Sequence, residues 1–246
     1  MPNSTRSNWF CKYKIAHRGL HSDTMPENSL VAFDNACNLG FAIELDVRLS
    51  KDGEVVVFHD YDLKRLCGED ANLNELSLSD LKKFHLNGTK YTIPTLKEVL
   101  DLVNGRSPIM IELKPNKRKE HLEEKVYEIL KKYPYDIAIK SFNPFSVLWF
   151  KKHAPEIPRG MLAGYLKDIR MPKIYKYLIK RLKFFNLIKP DFISYDFGNL
   201  PNKYVSSKNV AVLTWTIRSK EQEKQALAVA NNVIFENYIP ASPTNY

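Results

Sequence analysis

Two carboxylates separated by a single residue, Glu44 and Asp46, sit inside the apolar run from Phe41 to Val47. In an extended strand that spacing places both side chains on one face, while Ile43, Leu45 and Val47 take the other. Two buried like charges without a partner would cost several kcal/mol, whereas a hard divalent cation bound by their oxygens removes the repulsion and keeps both ionised. Glu112 and Lys114 repeat the spacing at the end of a second apolar run, so Glu112 is a candidate third ligand and Lys114 is expected to point into the same cavity. Three acidic side chains at the same ends of two separate apolar runs are more than chance meetings of strand ends with solvent.

Two histidines occupy matching places. His17-Arg18-Gly19 follows the first predicted strand, where an imidazole, a guanidinium fork and an unhindered backbone could approach one cluster of phosphate oxygens. His59-Asp60 follows the third. Cleavage of a phosphodiester needs one group to take a proton from the attacking oxygen and another to protonate the leaving oxygen, and imidazole suits either task near neutral pH. His21, His85, His121 and His153 lack this setting between an apolar strand and a charged motif, and are expected to be structural.

The elements that must position these groups are short apolar runs ending in polar residues. Strands are predicted at Tyr13 to His17, Phe41 to Val47, Val55 to His59, Ile109 to Lys114 and Ile137 to Phe142, then at Arg159 to Ala163, Phe192 to Tyr195, Val210 to Thr216 and Asn232 to Glu236. Helical stretches such as Glu120 to Lys132 and Lys220 to Ala230 alternate with them, an order that predicts a parallel α/β barrel. The helix after the first strand has Asn28 and Ser29 as caps and Gly40 as its left-handed stop. Only Arg48 to Glu54 separate the second and third strands, too few residues for a crossover helix. A hairpin centred near Asp52-Gly53 is therefore expected there, carrying His59 back beside Glu44. Residues 61–91 show weak periodicity and are expected to form a small excursion over the barrel mouth. Helical pattern resumes at Thr95, with Glu98 completing a capping box.

The 246 residues, 44% of them hydrophobic, suffice for one core, and no linker divides the chain, so one domain over 1–246 is expected. Cys11, Cys37 and Cys67 form neither a disulfide framework nor a Cys-x-x-Cys site, which favours a reducing cytoplasm. Met1 to Tyr13 lacks the apolar core of a secretory leader and no run of about 18 apolar residues occurs in the sequence, so a soluble protein is expected. A net charge of +9 favours anionic partners. Nucleic acid is disfavoured, because zinc-finger spacing, RNA-recognition motifs and internal repeats are lacking.

With these residues on the page, the chain resembles the glycerophosphodiester phosphodiesterase family. The resemblance is carried by His17-Arg18-Gly19, Pro26-Glu27-Asn28-Ser29, Glu44-Leu45-Asp46-Val47, Lys51-Asp52-Gly53, Val57-Phe58-His59-Asp60, Pro94-Thr95-Leu96, Glu112-Leu113-Lys114, Ser141-Phe142 and Trp215-Thr216. It implies a (β/α)8 TIM barrel of the phospholipase-C-like phosphodiesterase type, with a small insertion after the third strand. It also implies roles: His17 and His59 as catalytic acid/base pair, Glu44, Asp46 and Glu112 as ligands of one Mg²⁺ or Ca²⁺, and Arg18, Glu27, Lys114 and Trp215 as substrate contacts. The family's usual ending, a Thr-Asp pair before proline, is replaced here by Phe235-Glu236-Asn237-Tyr238-Ile239-Pro240, which puts any role for that segment in doubt.

The expected activity is metal-dependent hydrolysis of a small glycerophosphodiester to glycerol 3-phosphate and an alcohol. Relatives of this barrel also act as lysophospholipases D or phosphate-transfer lyases on lysolipids. A third, weaker reading is a non-catalytic polyanion-binding protein, although a mere binder has no need for acid/base histidines beside a carboxylate cluster. Tyr165 to Lys189 carries eight Lys/Arg against one Asp, interleaved with aromatic and aliphatic residues. It reads either as an ordinary outer helix or as a segment resting on an anionic membrane surface. Oligomeric state is not legible.

Overall fold

The computed structural model describes residues 8–115, 121–166 and 172–245. Its strands are β1 (Ile15–Ala16), β2 (Ala42–Leu49), β3 (Val55–Val57), β4 (Ile109–Leu113), β5 (Ile137–Ser141), β6 (Arg159–Ala163), β7 (Phe192–Asp196), β8 (Ala211–Ile217) and β9 (Asn232–Phe235). All except β3 run parallel and close in the order β1-β2-β4-β5-β6-β7-β8-β9, with β9 returning to β1. This is the expected (β/α)8 barrel. The ninth strand, β3, pairs antiparallel with β2, Val47 opposite Val57 and Leu49 opposite Val55, as the short connection required.

The helices are α1 (Trp9–Lys12), α2 (Leu30–Asn38), α3 (Lys64–Cys67), α4 (Leu78–Leu81), α5 (Leu96–Val103), α6 (Leu122–Leu130), α7 (Pro144–His153), α8 (Lys173–Lys180), α9 (Phe185–Ile188), α10 (Lys203–Ser206) and α11 (Lys220–Leu227). None is long and apolar enough to cross a membrane. Ser29 alone caps α2, its hydroxyl accepting from Ala32 N–H at 3.3 Å; Asn28 does not share that task, because its side chain is held by Asp46 instead. The Thr95–Glu98 capping box opens α5 as expected. Glu120, the expected start of the helix at α6, lies outside the described residues, and α11 stops three residues short of Ala230. The segment from Tyr165 to Lys189 is not one outer helix: α8 and α9 are separate, and residues 167–171 lie outside the described set.

Strand alternation builds two different barrel layers. Ile43, Leu45, Val47, Ile109, Ile111 and Ile139 join the apolar layer between sheet and helices. Ala42, Met110, Ala138, Phe192, Leu213 and Ile234 fill the lower interior, closed from below by Trp9 and Phe10 of α1; the Phe10 and Phe192 rings lie 4.7 Å apart. A side chain at Gly160 would put Cβ 2.0 Å from the Phe192 ring, so only glycine fits beside this floor. Two residues further along β2, β4 and β5, the same inward face carries Glu44, Glu112 and Lys140. The barrel thus changes from an apolar floor to a charged mouth at the C-terminal strand ends.

The excursion over 61–91 holds α3 and α4 around an apolar cluster of its own, Val56, Phe58, Leu63, Leu66, Leu73, Leu81, Leu86 and Ile93. It is anchored to the hairpin where Asp52 accepts from Leu78 N–H and Lys51 N–H donates to the Leu76 carbonyl.

Candidate active site

Glu44, Asp46 and Glu112 each offer a carboxylate oxygen within 4.8 Å of the others, and all three are buried. Parallel pairing of β2 with β4 sets Asp46 opposite Glu112, which converts two spacing motifs distant in sequence into one cluster. Their partners are Lys114 Nζ, 2.8 Å from Glu112 and 3.4 Å from Asp46, and Lys140 Nζ, 2.9 Å from Glu44 and 3.5 Å from Glu112. The Asn28 amide donates to Asp46 at 2.9 Å, Arg18 N–H donates to Glu44 at 3.0 Å, and the Arg18 guanidinium stands 3.5 Å from Asp46. Burial would raise the Asp46 carboxyl, yet the charges of Lys114, His59 and Arg18 and the Asn28 hydrogen bond hold it well below the ordinary value. Glu112 is lowered in the same way by Lys114 and Lys140 against the opposing effects of burial and Asp46. Burial would lower both lysines, but the facing carboxylates raise them. Asp46 and Glu112 therefore stay ionised, and with Glu44 they face three cations, Arg18, Lys114 and Lys140.

Hard oxygen donors, already held by hydrogen bonds and ion pairs, fit a divalent cation. A dipositive ion would leave the cluster with net positive charge, suited to the monoanion of a phosphodiester.

The turn after β1 places the first histidine. Arg18 and Gly19 both have positive φ, and a side chain on Gly19 would meet the Ala32 backbone at 2.9 Å. Only glycine lets the chain fold back so closely, and the fold-back aims Arg18 N–H at Glu44. His17 Nδ1 lies 2.5 Å from Glu236 Oε2, and Arg218 Nε donates to Glu236 Oε1 at 2.8 Å. His21, expected to be structural, has Nε2 3.8 Å from the same carboxylate. Glu236 was missed because its segment departs from the resembled pattern; the signal was a carboxylate directly after an apolar strand.

Burial would raise the Glu236 carboxyl, but the hydrogen bond from His17, the nearby His21 ring and the charges of His17 and Arg218 hold it far below its ordinary 4.5. A folded-state value below the unfolded one gives stability that is complete above the unfolded value and fades as pH falls through the folded one. The stability gap between wild type and Glu236→Gln, read from urea midpoints, should therefore be widest near about pH 6 and shrink toward about pH 3. A gap independent of pH would contradict the ionised pairing.

The hairpin delivers the second histidine. Arg48, on the same face of β2 as Glu44 and Asp46, donates from Nε and Nη2 to the His59 carbonyl at 2.9 and 2.8 Å and from Nη1 to the Lys114 carbonyl at 3.3 Å. It thereby ties the end of the hairpin to the end of β4. His59 Nδ1 lies 2.6 Å from Asp60 Oδ1, and Arg65 of α3 donates to Asp60 Oδ2 at 2.7 Å. The other arm of Arg65 grips Glu27 with two bonds of 2.7 and 2.8 Å, and Glu27 also accepts from Arg18 at 2.6 Å. A continuous chain Arg18–Glu27–Arg65–Asp60–His59 results. Arg65 was missed because the excursion has little periodicity, and Lys140 because a single lysine in an apolar strand carries no spacing signal.

Trp215 stands apart from the carboxylates on β8. Its ring meets Phe142, just past β5, edge-on at 5.8 Å, so this aromatic pair reaches across the mouth. The structure thus gathers His17, Arg18, Glu27, Glu44, Asp46, His59, Glu112 and Lys114 at one rim, with Trp215 on the facing side.

The glycerophosphoryl diester phosphodiesterase family matches residues 17–240 of this sequence. A glycerophosphodiester phosphodiesterase of Caldanaerobacter subterraneus subsp. tengcongensis is 30% identical over 237 residues, covering 91% of this chain and 93% of that relative. A rat lysophospholipase D is 34% identical over 137 residues, half of this chain and 42% of its own. Among solved structures, an Oleispira antarctica phosphodiesterase in complex with its product sn-glycerol-3-phosphate superposes with a TM-score of 0.78 at 26% identity, covering 91% of this chain and 92% of that one.

Proposed function

Since the chain belongs to the glycerophosphoryl diester phosphodiesterase family, we propose that it hydrolyses glycerophosphodiesters to glycerol 3-phosphate and an alcohol, with His17 and His59 as the acid/base pair. The observation that carries this reading is the convergence of two imidazoles and a buried carboxylate triad at one barrel rim.

Both rings have Nδ1 against a carboxylate, which can only accept, so Nδ1 carries hydrogen and Nε2 is the working atom. On a neutral ring Nε2 takes a proton; on a charged ring it gives one. One imidazole deprotonates the attacking hydroxyl, either water or the neighbouring glycerol hydroxyl, and the other protonates the leaving alkoxide; in the second case a cyclic phosphate forms, which water then opens to glycerol 3-phosphate. Glu236 and Asp60 fix the tautomers and orient the rings. Arg18 and Lys114 meet the non-bridging phosphate oxygens, charge that is in place before the reaction begins. Glu27 acts through Arg18 and Arg65, and Trp215 with Phe142 forms the wall facing the alcohol. Glu44, Asp46 and Glu112 would hold one divalent cation, Mg²⁺ or Ca²⁺, which when bound supplies charge stabilisation to the phosphoryl group.

The expected substrate is a small molecule, acted on by one catalytic domain with the 61–91 excursion at its mouth. Free Cys11, Cys37 and Cys67 accord with a reducing cytoplasm. The test is a coupled assay of glycerol 3-phosphate release across glycerophosphocholine, glycerophosphoethanolamine, glycerophosphoglycerol and glycerophosphoinositol, with Mg²⁺ or Ca²⁺ added in turn. Release from at least one diester is expected; release from none would overturn the proposal. Likeness to a lysophospholipase D over half the chain favours one second reading, cleavage of lysophosphatidylcholine. Choline release from that lipid exceeding release from glycerophosphocholine would establish it.

A further inference from the structure

Between Pro172 and Lys189 the chain carries Lys173, Lys176, Lys180, Arg181, Lys183 and Lys189 and no acidic residue. Within this stretch α8 also exposes large apolar side chains, Ile174 at 60%, Tyr175 at 44% and Tyr177 at 41%. A helix packed on a barrel turns its apolar stripe inward, and α8 does so with Ile179, its one fully buried residue. With about 3.6 residues per turn, Ile174 and Tyr177 fall on the side away from Ile179, bordered by Lys173, Lys180 and Arg181. Apolar residues are thus displayed outward among cations, the reverse of an ordinary outer helix.

The position of α8 gives this surface a direction. The Lys180 carbonyl accepts from Tyr195 Oη at 2.8 Å, and Tyr195 is the next-to-last residue of β7. The helix therefore stands at the level of the barrel mouth, on the same end of the molecule as the two histidines. The Arg181 guanidinium lies 4.1 Å from the centre of the Tyr177 ring, which keeps a cation and an aromatic face together at the exposed edge.

We propose that α8 is a docking surface for an anionic lipid bilayer: Lys173, Lys176, Lys180 and Arg181 meet the headgroup charge, and Ile174 and Tyr177 enter the boundary beneath it. Charge complementarity selects an anionic partner, and the outward aliphatic and aromatic pair selects a bilayer over nucleic acid, whose phosphates give Ile174 nothing to bury. Docked this way, the mouth opens toward the lipid. The inference goes beyond the diesterase reading and does not depend on it.

Vesicle flotation tests it at low salt, using phosphatidylcholine vesicles with or without about one-third phosphatidylglycerol. The wild-type chain should float with the anionic vesicles and not with the neutral ones, and about 0.5 M salt should weaken the association. The pairs Ile174→Asp/Tyr177→Asp and Lys173→Glu/Lys176→Glu should each lower the floated fraction about tenfold. Unchanged hydrolysis of soluble glycerophosphocholine shows that each pair is folded; circular dichroism serves if no hydrolysis is found. His17→Ala should float like wild type, so loss of the diesterase reading leaves this result intact. Absence of wild-type flotation on anionic vesicles would overturn the proposal. So would flotation of the apolar pair at the wild-type level, which would mark a general polyanion surface.

Discussion

Alanine at His17 or at His59 is expected to lower turnover by roughly 100-fold or more, the range for a lost general acid or base, while the barrel remains folded. Both residues stand just past strand ends, not within the apolar layers; the His59 side chain is 31% exposed and that of His17 13%. Neither contributes to the floor or to the sheet–helix core, so truncation removes a proton carrier and little packing. The loss should fall on kcat with KM nearly unchanged, because the proposed mechanism rests phosphate binding on Arg18, Lys114 and the triad. Steady-state kinetics with circular dichroism on both variants would settle it. Near-normal turnover in both would remove the imidazoles from the chemistry, and a loss confined to KM would make them binding groups.

Chelation is expected to abolish activity, and Mg²⁺ or Ca²⁺ to restore it. Full activity in a verified metal-free preparation would exclude the triad as a catalytic metal site. A second readout does not depend on turnover. A cation that binds only the folded chain at about 100 times its dissociation constant adds about 2.7 kcal/mol of stability, visible as a rise in Tm. Asp46→Asn should lose that rise. Lys140→Met adds a sharper comparison, because Lys140 lies 2.9 Å from Glu44 and 3.5 Å from Glu112, all three buried. Removing one partner of a buried charge pair costs about 3–5 kcal/mol, since the other charge is left uncompensated. That cost should be largest without metal and smaller with it, because the cation takes over as counter-charge. Equal destabilisation in both states would show that the triad holds no ion.

Alternation made much of this site readable in the sequence. Glu44 with Asp46 and Glu112 with Lys114 each declare a shared face, because a strand has a period of two and apolar neighbours say which face is which. The extra strand was readable too, since seven residues between apolar runs cannot hold a crossover. Register was not readable: that Asp46 lies opposite Glu112, and Glu112 opposite Lys140, is decided by pairing between segments far apart in sequence. Lys140 therefore went unnoticed, although it is the most deeply buried cation of the cluster. Glu236 and Arg65 were lost for different reasons. The first stands in a segment that departs from the resembled pattern, and the second in a stretch where short helices give no lasting period. Asn28 was misread as a cap because capping is a local preference, whereas its contact with Asp46 is tertiary.

The excursion's private apolar cluster, separate from the barrel's layers, has a consequence for how this molecule fails. Its link to the chemistry is Arg65, which spans Asp60 and Glu27, so the aim of His59 is borrowed from an annex with its own apolar cluster, joined to the sheet at Val56 of β3. Warming that melts the annex first would silence the molecule while its staves still stand, and cooling would revive it without any refolding of the barrel.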